Sequence, residues 1–198
     1  MPRPKPPSRP GFGSRLAETR REQVWAFDEA RFGLRIQVRR RWCPCRVRPP
    51  WLVDDQYEWL WLYAAVEPAT GRSLFLFLPG VSKEWFACFL AALSREVGEQ
   101  RVGLVLDNSS SHRADMAWPA HLTPLPLPSY SPELNPAEQI FRVLRAKLAN
   151  RIFDTVAELE AALTEQLQRF WDEPAILHQL TAYPWWTTGL DVMMLENP

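Results

Sequence analysis

The chain has 198 residues, 46% of them hydrophobic, and its 23 Lys and Arg balance 23 Asp and Glu. That length and apolar content suit one ordinary domain with a sizeable core and exclude a wholly disordered polyelectrolyte. No apolar run approaches the roughly 18 residues needed to cross a bilayer, and the opening MPRPKPPSRP lacks the apolar stretch of a secretory signal, so a cytoplasmic protein without a membrane partner is expected.

Residues 1–22 combine Pro, Arg, Ser and Gly and are expected to form a flexible, basic linker or remnant. Gly11–Gly13 reads GFG, but it follows no strand and lacks the remaining glycine spacing of a phosphate loop. VWAFD then predicts a strand ending at Asp28, with Val24, Ala26 and Asp28 on one face and Trp25 and Phe27 on the other. LRIQVRRRW is a second, more polar strand candidate. A third is YEWLWLYAAVEP, with Tyr57, Trp59, Trp61 and Tyr63 on one face and leucines on the other, and RSLFLFLPG extends the meander through the turn PATGR.

SKEWFACFLAALSREVG predicts a helix capped by Ser82, carrying Trp85, Phe86, Phe89, Leu90 and Leu93 at helical spacing and closed by Gly98. RVGLVLDN follows, an apolar run of the kind buried on both faces of a sheet, ending at Asp107. Beyond a short piece containing His112, LTPLPLP reads as an edge strand because of its prolines. LPSYSPELNPAEQIFRVLRAKL is a turn feeding a helix, with Asn135 as N-cap and Pro136 in the first helical position, and TVAELEAALTEQLQRFW is a second amphipathic helix. The folded body is expected over residues 23–172, and 173–198 reads as a C-terminal tail.

A meander followed by helix, strand and helix predicts an α/β fold of ribonuclease H-like topology, a mixed five-stranded sheet flanked by helices. The first strand and the strand after the first helix are then adjacent and parallel. Asp28, Asp107 and Glu138 converge at the carboxyl ends of those strands, where open α/β sheets place their sites. Oxygen donors without a Cys or His requirement suit Mg²⁺ or Mn²⁺, and clustered carboxylates need the compensating charge. Each acid also has a purely structural reading. Asp107 with Asn108 suits a cap before SSSH, Asp28 suits a pair with Arg31, and Glu138 suits a capping box closed onto Asn135.

Other chemistries are poorly supported. Asp107, Ser110 and His112 crowd one short loop without the separated orienting geometry of a hydrolase triad. Cys43, Cys45 and Cys88 are too few for a disulfide framework, and no second Cys/His pair at ligand spacing completes a zinc site with the CPC pair. The charges are segregated: residues 1–50 hold 13 Lys and Arg against 4 Asp and Glu, whereas residues 151–198 hold 2 against 8. The basic first quarter suits a polyanion, and equally a basic tail with a solvated strand face.

FDEARFG, LVLDNSSSH and LPLPSYSPELNPAEQIF resemble the DDE transposases of the mariner superfamily, most closely the six-thirty family of bacterial insertion sequences. The resemblance runs in order from about Val24 to Phe170, and the Tyr-Ser-Pro, Leu-Asn-Pro and acid of the third motif make it specific. It implies catalytic, metal-binding acids at Asp28, Asp107 and Glu138, two Mg²⁺ or Mn²⁺ ions, and Asn108, His112 and Asn135 near the site. The implied activity is metal-dependent DNA cleavage and strand transfer, with element ends and target DNA as partners, a homodimer in the DNA complex, and nucleoid association in the cytoplasm.

Two features depart from the family pattern. Asp107 and Glu138 are 31 positions apart, a little closer than expected, with the shortfall in RADMAWPAH. Only about 22 residues precede the first motif, where family members carry a helix-turn-helix region, so a separately encoded subunit or upstream frame product is an expected partner. For DNA contacts, Arg39, Arg40, Arg41, Arg46 and Arg48 crowd one strand and its loop. Arg142 and Arg145 follow Glu138 by four and seven residues on about the same helical face, where Arg142 equally suits an ion pair with Glu138. The alternatives are an inactive DNA-binding remnant, which three intact acids argue against, and another ribonuclease H-like metal nuclease, which the Leu-Asn-Pro-acid turn argues against.

Overall fold

The computed structural model describes residues 23–35, 44–46, 57–107, 117–128, 131–184 and 186. Strand β1 (Gln23–Gly33) carries apolar side chains on both faces, as a strand sandwiched between helical layers must. Val24, Ala26, Ala30 and Phe32 enter one core, and Trp25 and Phe27 enter the other. β2 (Trp59–Val66) pairs antiparallel with β1, and β3 (Ser73–Leu78) antiparallel with β2.

Helix α1 (Lys83–Val97) starts where the Ser82 hydroxyl accepts the Trp85 N–H at 3.3 Å, and stops at Gly98, whose φ of 64° suits glycine. It returns the chain to β4 (Val102–Leu106), which is buried at every position, and β5 (Leu122–Pro126) closes that side as a parallel edge strand. Pro124 and Pro126 are tolerated there because an edge strand needs only one ladder. The order is β3-β2-β1-β4-β5, with β1 and β4 parallel, so the predicted mixed sheet is found.

A 3-10 turn (Pro132–Leu134) leads into α2 (Ala137–Leu148), followed by α3 (Val156–Asp172) and α4 (Pro174–Thr181). Ile140, Phe141 and Leu144 of α2 pack with Leu163 and Leu167 of α3 on one face of the sheet, while Phe86, Phe89 and Leu93 of α1 fill the other. Among the described residues no helix is long and apolar enough to cross a membrane.

Two expectations change. β1 does not end at Asp28 but continues to Gly33, because β2 goes on supplying ladder partners as far as the Gly33–Trp59 pair. Of the second strand candidate, Leu34 joins the core and Arg35 is exposed, while residues 36–42 lie outside the described set. Within the segment expected as a tail, Pro174–Thr181 forms α4, with Leu177 and, beyond it, Trp186 buried in the core and the His178 ring bonded through Nδ1 to the Pro68 carbonyl at 2.8 Å, while residues 187–198 lie outside the described set. Trp85, on α1, is 36% exposed.

Gly71 makes the α4 contact possible. Its φ is 78°, and a Cβ there would collide with the Pro174 carbonyl. Gly71→Ala is expected to destabilise the fold by at least about 2 kcal/mol, from left-handed backbone strain plus overpacking. Urea denaturation of the two proteins measures the loss.

Candidate active site

The site begins where two strands part. The last β1–β4 pair is Ala26 with Val105, so two further residues along each parallel strand bring Asp28 level with Asp107. β4 stops at Leu106, and β1 proceeds with β2 alone, pairing Asp28 with Ala64. Asp28 therefore sits at the notch left by the shorter strand, half-buried, with Asp107 exposed at the strand exit. Its side chain shares a face with Val24, Ala26 and Ala30, the face that α2 covers.

Asn135 brings that helix in. Its side-chain amide donates to the Phe27 carbonyl at 2.8 Å, and its Oδ1 accepts the Ala137 N–H at 3.1 Å, so it satisfies the first N–H of α2 while bonding to β1, although the cap position itself falls to Pro136, one residue later than predicted. Glu138 follows in the first turn, half-buried.

The acids act on one another electrostatically. The Asp28 carboxyl is pushed up from 3.8 to about 8, first by burial, then by the charges of Glu138 and Glu29, with a smaller push from Asp107. The Glu29 backbone N–H donates to Asp28 Oδ1 at 2.9 Å and pulls the other way. Glu29 itself was not singled out from sequence, although it adjoins Asp28 in FDEARFG; it lies cross-strand from Tyr63. Burial and then Glu29 push the Tyr63 hydroxyl up to about 12, and that hydroxyl donates to the Gly80 carbonyl at 3.0 Å.

Two sequence pairings resolve differently. Arg31 points away from Asp28, because adjacent strand parity puts it on the other face, where its guanidinium stacks 5.3 Å from the Trp59 ring centroid. Glu138 pairs with Arg145 at 3.9 Å rather than with Arg142, and Arg145 also lies 5.8 Å from the ring centroids of Phe32 and Phe141. Those two rings draw the guanidinium onto the sheet side, two helical turns along from Glu138, and leave Arg142 exposed. Arg46 is exposed with φ 67°. Asn108, His112, Arg39, Arg40, Arg41 and Arg48 lie outside the described residues.

Among the described residues, no three His, Cys, Asp or Glu side chains stand at the spacing of a formed metal site. The donor chemistry nonetheless fits a hard divalent cation. Asp28, Asp107 and Glu138 offer only carboxylate oxygens, and a cation would offset the charges that, after burial, help to raise the Asp28 carboxyl.

The family model for DDE superfamily endonucleases matches residues 23–160. A curated relative, the uncharacterized protein y4pE/y4sA of Sinorhizobium fredii (strain NBRC 101917 / NGR234), is 30% identical over 119 residues, 59% of this chain and 88% of that protein. The fold is similar to that of the Mos1 transposase in its paired-end complex with the left transposon end, with a TM-score of 0.59 and 17% identity over 92% of this chain and 60% of that one. It is also similar to the Mos1 strand transfer complex, with a TM-score of 0.60 and 16% identity over 94% and 62%, and to the mariner Mos1 paired-end complex with Mg, at 0.56 and 18% over 96% and 66%. The chain spans about three fifths of the length of the first of these transposase chains.

The raised Asp28 gives a signed pH dependence. Its protonated form contributes stability that is fully present below the unfolded value near 3.8 and is lost as pH rises through the folded value of about 8. In metal-free protein, Asp28→Asn is expected to change Tm little at pH 4 and to raise it increasingly up to pH 8, with no further gain above. Thermal melts of both proteins across that range check the sign.

Proposed function

The chain belongs to the DDE superfamily endonucleases, and on that premise we propose that it is the catalytic domain of a transposase, cutting DNA at the ends of an insertion sequence and joining them to a target. The observation that carries this reading is the register that brings Asp28 level with Asp107, beneath a helix whose Glu138 raises the Asp28 carboxyl. The Mos1 chains of similar fold were solved as paired-end and strand-transfer complexes, which supports DNA as the partner; a homodimer is the assembly proposed for that complex.

Asp28, Asp107 and Glu138 would hold two Mg²⁺ or Mn²⁺ ions. When bound, such ions polarise a phosphodiester and lower the pKa of an attacking water or 3′-hydroxyl. Asp28 would have to give up its proton to hold such an ion, so occupancy is expected to tighten as pH rises toward 8. To serve as a ligand, Glu138 would have to turn from Arg145. The protein supplies no covalent nucleophile; it orients the phosphate and supplies fixed charge. Arg142, exposed on the outer side of α2, and the arginines Arg39, Arg40, Arg41, Arg46 and Arg48 would grip the DNA backbone without reading sequence, and Arg145 joins them once released from Glu138. Asn108 and His112, directly beyond Asp107, complete the proposed surroundings of the site.

Asp28→Asn, Asp107→Asn and Glu138→Gln are each expected to abolish Mg²⁺-dependent cleavage of DNA carrying the element's ends. Glu138→Gln should alter stability by no more than about 1 kcal/mol, because the ion pair it breaks is half-exposed. A joined 3′ end in a strand-transfer assay distinguishes a transposase from a nuclease that only cuts. Retained cleavage in any one variant removes that residue from the set.

The arginine grip has its own measurement. The logarithm of the DNA-binding constant should fall steeply and linearly with the logarithm of salt, and the slope should flatten by about 1 when Arg142 is replaced by Gln.

A further inference from the structure

We infer that Asn135 is the positioning residue of this site: its side-chain amide pins the first turn of α2 to β1 and so fixes where Glu138 stands over Asp28. The inference rests on the reading of Asp28, Asp107 and Glu138 as one site.

Asn135 is 2% exposed, one of three buried polar side chains among the described residues. Burying an amide costs free energy unless both of its ends are bonded, and here both are. Nδ2 donates to the Phe27 carbonyl at 2.8 Å, and Oδ1 accepts from Ala137 at 3.1 Å. The bonded carbonyl has a particular place. The β1–β4 pairing ends at Ala26, so Phe27 is the first β1 residue beyond that ladder and the residue directly before Asp28. Where β4 stops, Asn135 supplies the partner that a longer strand would have given.

The other side of the link is equally short. The Asn135 carbonyl accepts the Glu138 N–H at 3.2 Å, so one residue is bonded to the peptide preceding the first acid and to the backbone of the third. Pro136, with φ −59°, stiffens the step between them. Phe27 and Asn135 are 108 positions apart, and capping alone does not need that reach: serine caps a helix as well as asparagine does. Serine is too short to span to the Phe27 carbonyl, and aspartate would turn an oxygen onto that carbonyl oxygen. The two substitutions keep a capping acceptor and delete the link to β1.

The test compares the full chain with Asn135→Ser and Asn135→Asp by two measurements, amide hydrogen exchange without metal and thermal shift against Mn²⁺. Both variants are expected to exchange faster across residues 137–141 and 28–30. The Mn²⁺ concentration for half-maximal stabilisation should rise roughly 10–100-fold in Asn135→Ser, the range for outer groups that orient metal ligands. Wild-type exchange and wild-type half-saturation in both variants would overturn the inference and leave Asn135 a helix cap only. Faster exchange in the variants, with a wild-type chain whose melting ignores Mn²⁺, would uphold the link between α2 and β1 and overturn the metal reading instead. Should Asn135→Ser fail to fold, the exchange of Asn135→Asp decides alone.

Discussion

The arrangement depends on a mismatch in strand length. β1 has eleven residues and its parallel neighbour β4 has five. Side by side they can satisfy each other's backbone only as far as Ala26 and Val105, and past that point β1 has a ladder on one side alone. The sheet therefore ends in a step. A step in a sheet buried on both faces leaves polar backbone in need of partners and space enough for side chains, and Asp28, Asp107 and the start of α2 occupy it. Two strands of equal length would have filled the same space with apolar pairs.

The step also explains why acids can be kept there. Asp28 stands on the apolar face among Val24, Ala26 and Ala30, where an ionised carboxylate is costly, and it responds by holding its proton to about pH 8. Glu138 has Arg145 as a local counterion, and Asp107 is exposed to water. Protonation at Asp28 and pairing at Glu138 thus let the carboxylates coexist. Each is reversible, so the acids tolerate one another without being committed.

Much of this was legible in the sequence, for identifiable reasons. The alternation of VWAFD put Asp28 on its correct face, and the unbroken apolar run of RVGLVL marked β4 as central because only a strand covered on both sides has no polar alternation. The prolines of LTPLPLP marked the edge. What periodicity does not carry is where a neighbouring strand stops. Asp28 was expected at a strand end, yet it lies in mid-strand, at the end of the partner instead. Nor does sequence spacing say which cation a carboxylate meets. Arg142 at four residues is the standard helical partner of Glu138, but Phe32, more than a hundred residues away, helps to draw Arg145 into that position. Helix α4 escaped notice because eight residues opening on a proline give little periodic signal, and its docking depends on a turn glycine far upstream.

The link from Asn135 to Phe27 closes a loop of more than a hundred residues, and the β1–β4 ladder joins Gln23 to Val102. Contacts of such sequence separation are paid for in chain entropy before they return anything, so they are expected to form more slowly than local ones. Helices α1 and α3 can gain structure from local contacts well before that. The carboxylates are therefore dispersed along an ordinary flexible chain until the sheet has closed, and a nascent or nicked polypeptide holds them no nearer together than chance allows. Assembly of the acidic cluster is in effect a readout of completed folding.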